Sequence, residues 1–580
     1  MGIRAFLHFQ IVSRPTGDLI RRVLIGLLIT TIFLAGIELR RWIGENTRHV
    51  RYQHDLINGF YWGNEVLAEA RSRSSDEVSA NSWAGFFRGY FALYDRVKDE
   101  AYENDYALDY PPLRLLVMAV WAKHVRSEFP EVDDGHPKLI NPLLKINVLC
   151  ELLSAVAIFL LVRFCVQRAN SSPSPSPLGE EERPPARAYW SRNRGRACVR
   201  PASPLRGERT EVRGHFAGLA AATAAWLEPS MILDAHGWPQ WDVWVLPFYL
   251  FAALAALKNR WFWCGCLLAL GAMLKGQLLF VAPFFVLWPL WQKKWIRALR
   301  MLAGFTATTA LIVSPWVLHN RLAWISFAIV AGVTLLFLRR YEYRHSGAWL
   351  AGITGCAAFV IGALTGGSFT WLQVGFIYGS EHYPYLFISS CYNLASLLSE
   401  LGWSLKDSLL SAHIGWLDLD LTLQWALRLL YLGALVLCAR GMARRHHARN
   451  PNILIAIATP WLLMFALLGQ MHERYLMWGA VVSAVALGVS VRLSIVHFII
   501  SIASTAMIMH VMLIDKKLDS TLRAIDLLHN IRPYASVLVL ACVAVYLWDA
   551  LLVRVPVLQP RAATAVTAPS LSLGAEPEEA

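Results

Sequence analysis

The sequence predicts an all-α, polytopic transmembrane helical protein of about 14 spans, and three observations carry the prediction. Hydrophobic residues fill 56% of the 580 positions and charged ones only 16%, with 24 tryptophans and a mean hydropathy of +0.41, which lies outside the range of ordinary soluble domains. Apolar runs recur from residue 23 to 553, many near the roughly 20 residues that cross a bilayer and some nearer 15, as tilted or short helices would be. The net charge of +13 is spread over the loops between those runs, so the Lys and Arg read as topology signals and argue against a nucleic-acid partner. The nine cysteines, mostly inside apolar runs and without a CxxC pair, support neither a disulfide framework nor a zinc site.

Residues 1–22 are expected to be cytoplasmic. The run "LIGLLITTIFLAGIEL" follows Arg21 and Arg22 without a small-residue cleavage site after it, so it reads as an uncleaved first span at 23–38. From 41 to 140 the chain is polar, with 16 acidic residues against 12 Lys and Arg. Residues 166–214, rich in Ser, Pro and Arg, bury almost nothing and read as a disordered linker. Its 11 Arg against 5 Glu between 163 and 213 place it in the cytoplasm. With both flanks cytoplasmic, only two spans fit before it, at 23–38 and 143–163. The apolar stretch 111–125 then becomes an amphipathic helix on the membrane surface.

Alternation continues through spans near 215–228, 243–257, 261–274, 278–291, 300–318, 322–338, 347–365, 422–438, 452–469, 475–490, 493–514 and 534–553. The resulting units are 23–165 (first span, outer loop and second span), 215–365 (a bundle), 366–421 (an outer loop), 422–553 (a C-terminal bundle) and 554–580 (a cytoplasmic tail). Basic loops such as "QKKWIRALR" and "ARGMARRHHAR" fall inside, and the acid-leaning loop 366–421 falls outside.

The same alternation gathers the unusual polar residues at outer helix ends: Asp55, Glu65, Asp109, Asp234, His236, Asp242, Lys275, Gln277, His472, Glu473 and Arg474. Ionisable groups at membrane depth are costly, and several on one side suggest a polar cavity opening there. Each motif also has a plainer reading. "LDYPP", with Asp109 and Tyr110, would start a helix; Asp55 and Glu65 would be solvated loop acids; Arg474 would anchor a helix at the interface. "LDAHGWPQWD" resists the plain account, because a turn needs Asp, Gly and Pro but not His236 and Gln240 between tryptophans.

Taken in order, these motifs resemble the GT-C fold polytopic glycosyltransferases, and most closely the dolichyl-phosphate-glucose-dependent α-1,3-glucosyltransferases of asparagine-linked glycosylation. "GNEVLAEA" at 63–70 is similar to that family's G-D-Y-E-A-Q, with Asn64-Glu65 where it has an aspartate. Residues 107–113, "ALDYPPL", are similar to its L-D-Y-P-P-L. "LLKINVLCELLS" supplies Lys145 and Glu151; "PSMILDAHGWPQWD" matches an outer turn; Lys275, Gln277 and Pro283 match a K-Q element; Met471-His472-Glu473-Arg474 is similar to a late V-H-E-K.

The resemblance implies an inverting, metal-independent hexosyltransfer with no cofactor. A polyprenyl-phosphate-linked sugar would be the donor, and a lipid-linked glycan or other hydroxyl the acceptor. The site would lie on the outer face of an inner membrane, or on the luminal face of an endoplasmic reticulum membrane, among membrane lipid. An acid would deprotonate the acceptor: Glu65 first, then Asp55, with Asp109 shaping the pocket. His472, Arg474 and Lys275 would hold the departing phosphate. Asp234, His236, Gln240, Asp242, Gln277, Glu473, Tyr110 and Trp62 would line the pocket, with Trp62, Trp238 and Trp241 able either to stack on sugar or to anchor at the interface. A lipid-glycan transporter or flippase and an O-antigen ligase or polymerase are the alternatives; against the first, the hydropathy shows no internal repeat.

Overall fold

The structure is a computed structural model describing residues 15–47, 54–100, 108–130, 137–170, 204–341, 345–379, 385, 390–414, 417–448, 450–516 and 522–551. Its elements are α1 (Pro15–Asn46), α2 (His54–Ser72), α3 (Glu77–Asn81), α4 (Trp83–Glu100), α5 (Pro112–Glu128), α6 (Pro137–Asn170), α7 (Pro204–Trp226) and α8 (Pro229–Ile232). There follow α9 (Val245–Leu257), α10 (Trp261–Leu274), α11 (Leu278–Val281), α12 (Pro283–Trp291), α13 (Trp295–Val317), α14 (Arg321–Arg340), α15 (Ser346–Thr365) and α16 (Thr370–Leu372). The C-terminal part holds α17 (Leu394–Glu400), a hairpin of β1 (Ser408–Ile414) and β2 (Leu417–Thr422), α18 (Leu423–His447), α19 (Ile453–Leu467), α20 (Leu476–Ser483), α21 (Val491–Lys516), α22 (Leu522–Asn530) and α23 (Arg532–Leu551).

The all-α membrane class is as expected. Among the described residues nine helices are long and apolar enough to cross a bilayer, and four shorter apolar ones accompany them at 242–257, 261–274, 278–291 and 453–467. The expected span at 475–490 is instead α20 followed by a 3-10 run, Ala484–Gly488, with every residue from Leu476 to Ala486 buried. The stretch 111–125 forms α5, which packs against α2 through buried Leu115, Met118, Ala122 and Val125. Two further details depart from the sequence reading. The expected linker is helical at both ends, since α6 runs on to Asn170 and α7 begins at Pro204, while residues 171–203 lie outside the described residues. The loop 366–421 contains an antiparallel hairpin that pairs Ser411 with Asp420 and Ile414 with Leu417.

Burial sorts the helices. α14 exposes Ile329, Val333 and Leu336, and α1 exposes Leu24 and Leu27, so both present apolar flanks to lipid. In contrast, every residue of Ile453–Ala466 on α19 is buried, with α18, α20 and α23 packed around it. Small residues bring backbones close where spans cross. On α10 a Cβ at Gly265 would stand 1.8 Å from Met301 O, and on α13 a Cβ at Gly304 would stand 2.0 Å from Phe262 O.

Helix length then positions the site. A helix of 14–16 residues spans about 21–24 Å, less than the apolar thickness of about 30 Å. The shorter helices therefore end within the protein, and at those ends the backbone leaves helical geometry. Such backbone is tolerated at membrane depth only where protein or a polar cavity surrounds it.

Candidate functional site

Three short-helix ends converge. Asp242 opens the 3-10 turn Asp242–Trp244 that leads into α9, Lys275 follows the last residue of α10, and Arg474 lies in the turn Glu473–Tyr475 before α20. The Lys275 ammonium donates to Asp242 Oδ1, and the Arg474 Nε donates to Asp242 Oδ2 at 2.8 Å. All three are buried. A carboxylate at the start of a helix is favoured by the helix dipole, and two cations make its burial affordable. Aromatic rings enclose the cations: Lys275 Nζ lies 4.8 Å from the Tyr475 ring centre, and the Arg474 guanidinium 5.2 Å from that of Trp238. Trp478 Nε1 donates to the Asp242 carbonyl at 2.8 Å, and its ring stacks on Tyr475 at 4.5 Å.

A second layer fixes this one. On α6, the Asn147 amide nitrogen donates to Ala235 O at 2.9 Å and Gln240 O at 2.8 Å, while its oxygen accepts from Trp244 Nε1 at 2.6 Å. One buried carboxamide thus ties down both sides of the turn that carries Asp242. The first side of that turn, Leu233–Gly237, is a π-helical turn holding Asp234 and His236, a form common at functional sites. His236 Nε2 meets Glu151 Oε2 at 3.2 Å, and Arg40 Nε donates to the same oxygen at 2.5 Å. Arg40 also caps Trp226 O at 2.8 Å.

The first-loop helices cover the cluster. A Cβ at Gly59 on α2 would stand 2.9 Å from Trp241, so α2 lies directly on the residue before Asp242. Tyr110 is buried beneath the Arg114 guanidinium, 3.8 Å from its ring centre, and that guanidinium is 4.3 Å from the Trp241 ring. Asp109 beside it is exposed, and is near enough to Tyr475 and Tyr94 to act on both hydroxyls electrostatically. Burial raises the Tyr94 hydroxyl well above its ordinary value, and the neighbouring Tyr90 and Asp109 add to this against Arg114.

Thus the structure brings together Asp242, Lys275, Arg474 and Tyr110, with Asp109 at their edge. Gln277 joins them through Tyr475, whose hydroxyl accepts from its amide at 3.3 Å, and the His472 ring stands edge-on to Tyr475 at 5.2 Å. Glu473 is buried, as are Asp234, His236, Gln240 and Trp62, and both polar atoms of the Gln240 side chain lack a partner among the described residues. Glu65 is turned elsewhere: its carboxylate accepts from Arg96 at 2.6 Å, in a group that also includes Glu69 and Arg73. Asp55 lies on α2 one turn before Gly59, and its side chain is outside the described residues.

Residues 107–330 match the family model for glycosyltransferase family 87. No curated protein matches the chain. With the apolar helices, the match points to a membrane glycosyltransferase. The matched stretch holds Asp109, Asp242 and Lys275, and ends before Arg474, which pairs with Asp242.

Sequence reasoning passed over Arg114, Asn147, Arg40 and Arg96. Asn147 had a readable signal, being a carboxamide inside an apolar span. Arg114 had one in its place just after "DYPPL". Arg96, on an amphipathic helix, had none.

Proposed function

We propose that the protein transfers a hexose, with inversion, from a polyprenyl-phosphate-linked donor to a hydroxyl of a lipid-linked glycan or similar acceptor on the outer membrane face. The observation that carries this reading is the placement of Lys275 and Arg474 side by side on one buried carboxylate, walled by aromatic rings. The donor's anomeric carbon is already activated, so the protein has two tasks: removing a proton from the attacking hydroxyl and neutralising the departing phosphate. Cations fixed in advance in a water-poor site suit the second task, with His472 at their side. For the first, Glu65 is already engaged by Arg96. The exposed Asp109 is the better placed acid, with Asp55, one turn of α2 before Gly59, as its rival, at a contribution of roughly 10²–10⁴ in rate.

The test supplies polyprenyl-phosphate sugars to purified protein in nanodiscs and follows formation of a glycosidic bond. Lys275→Met and Arg474→Met are expected to lose most transfer, and one of Asp55→Asn and Asp109→Asn to abolish it, while Glu65→Gln retains it. Full activity in both aspartate variants would sink the mechanism. Movement of lipid-linked sugar across the bilayer without a new bond would make the protein a transporter.

A further inference from the structure

A cavity of about 790 Å³ lies apart from the Asp242 cluster, lined by Arg73, Arg88, Asp95, Trp316, His319 and Ser368 among others. Its size suits a small ligand, and its place in the fold is informative. Trp316 is in the last turn of α13, His319 lies between α13 and α14, and Ser368 follows the end of α15. Ends of apolar helices lie at headgroup level, so the cavity sits where the phosphate of a membrane lipid sits.

Its walls are rigid. Asp95 Oδ1 accepts from Ser368 Oγ at 2.8 Å and Thr370 Oγ1 at 2.7 Å, tying α4 to the turn after α15. Trp316 Nε1 donates to Phe91 O at 2.9 Å. Its lining carries two guanidiniums, Arg73 and Arg88, against one carboxylate, Asp95. Asp95 is already engaged by two hydroxyls, and Arg73 is paired with Glu69 at 2.6 Å. The exposed Arg88 guanidinium donates to the Ser79 hydroxyl at 3.1 Å and acts on the nearby Asp76 carboxylate, and His319, also exposed, meets the Asn320 amide at 3.1 Å. One wall is shared with the transfer site. Tyr94, beside Asp95, donates to Tyr110 O at 2.6 Å, and the chain from Thr370 leads to Gly375, where a Cβ would stand 3.0 Å from that same oxygen.

Building on the transferase reading above, we propose that this cavity binds the phosphate-bearing headgroup of the lipid-linked acceptor. Arg88 and His319 contact the phosphate, and the acceptor's reacting hydroxyl reaches past the Tyr94–Tyr110 wall toward Asp109. A guanidinium recognises phosphate by paired hydrogen bonds, and its removal weakens such a contact by about tenfold.

The test measures binding of a radiolabelled polyprenyl-diphosphate-linked glycan to the full chain in phosphatidylcholine nanodiscs, alongside transfer kinetics. Arg88→Gln and His319→Gln are each expected to weaken glycan-lipid binding and raise the acceptor KM about tenfold. The donor KM, kcat and thermal midpoint should stay as in the unaltered protein. Unchanged binding in both variants overturns the proposal, and so does equal competition by phosphatidylglycerol, which would make the cavity a general lipid site. If the unaltered chain binds the glycan lipid through Arg88 and His319 but transfers no sugar, the cavity assignment stands and the transferase mechanism falls.

Discussion

A carboxylate with no exposure, such as Asp242, persists in ionised form only where cations compensate it. Removing its charge leaves Lys275 and Arg474 buried against each other. Asp242→Asn is therefore expected to cost about 3–5 kcal/mol, read as a lowered thermal midpoint in detergent, and adding Lys275→Met should recover part of that loss without restoring transfer. A variant melting like the parent would mean that Asp242 is not ionised between the two cations. Asn147 works at one remove. Asn147→Ala leaves two carbonyls and an indole nitrogen unsatisfied, at about 1–3 kcal/mol for each buried group. It should lower kcat through the displaced turn while leaving purified protein folded at low temperature. The residue types of the site were legible in the sequence, because an acid, a lysine and an arginine beside apolar runs are expensive. Their partnership was not, since the bonds join positions 33 and 232 residues apart. Nothing in "GNEVLAEA" indicated that Glu65 would turn to Arg96.

At the scale of elements, close crossing and lipid exposure give opposite predictions for one substitution. Gly265→Val on α10 and Gly304→Val on α13 drive a side chain into the facing backbone, and each should cost about 1–3 kcal/mol or more. Gly332→Val on α14 has nothing within 4 Å of its Cβ position and should be neutral in the same thermal assay. Equal melting of all three would contradict the α10–α13 crossing. The place of most apolar helices was readable from hydropathy, because a run of apolar residues has one economical state in lipid, but their ends were not: the first expected span stops at 38 where the helix runs to Asn46, and 475–490 is not one continuous helix. Whether a glycine marks a crossing or an open flank was not readable, since both look identical in a single sequence. The hairpin at 408–422 also escaped notice, its alternation of apolar and polar residues being too brief to stand out within a long loop.

For the whole molecule, contacts connect helix ends in two groups. Arg168 reaches His446, and His446 reaches Gln292, at ends that alternation assigns to the cytoplasm. Arg532 pairs with Glu400 at ends assigned to the outside, where the Asp242 cluster also falls. Topology mapping with a membrane-impermeant thiol reagent should label Cys198 in the 166–214 segment from the cytoplasmic side and an introduced Ser399→Cys from the opposite side. Labelling of both from one side would break the proposed alternation, and exchange of the two sides would reverse the orientation.

By itself the sequence determined the membrane class, the approximate spans and the set of polar residues in contention, since each follows from the cost of placing a group in hydrocarbon and that cost is local. Only the tertiary structure decided which acid holds Lys275 and Arg474, which acid is spent on Arg96, and where an arginine-lined cavity lies. Those outcomes depend on helices too short to cross a bilayer ending together inside the protein, which no single run of residues specifies.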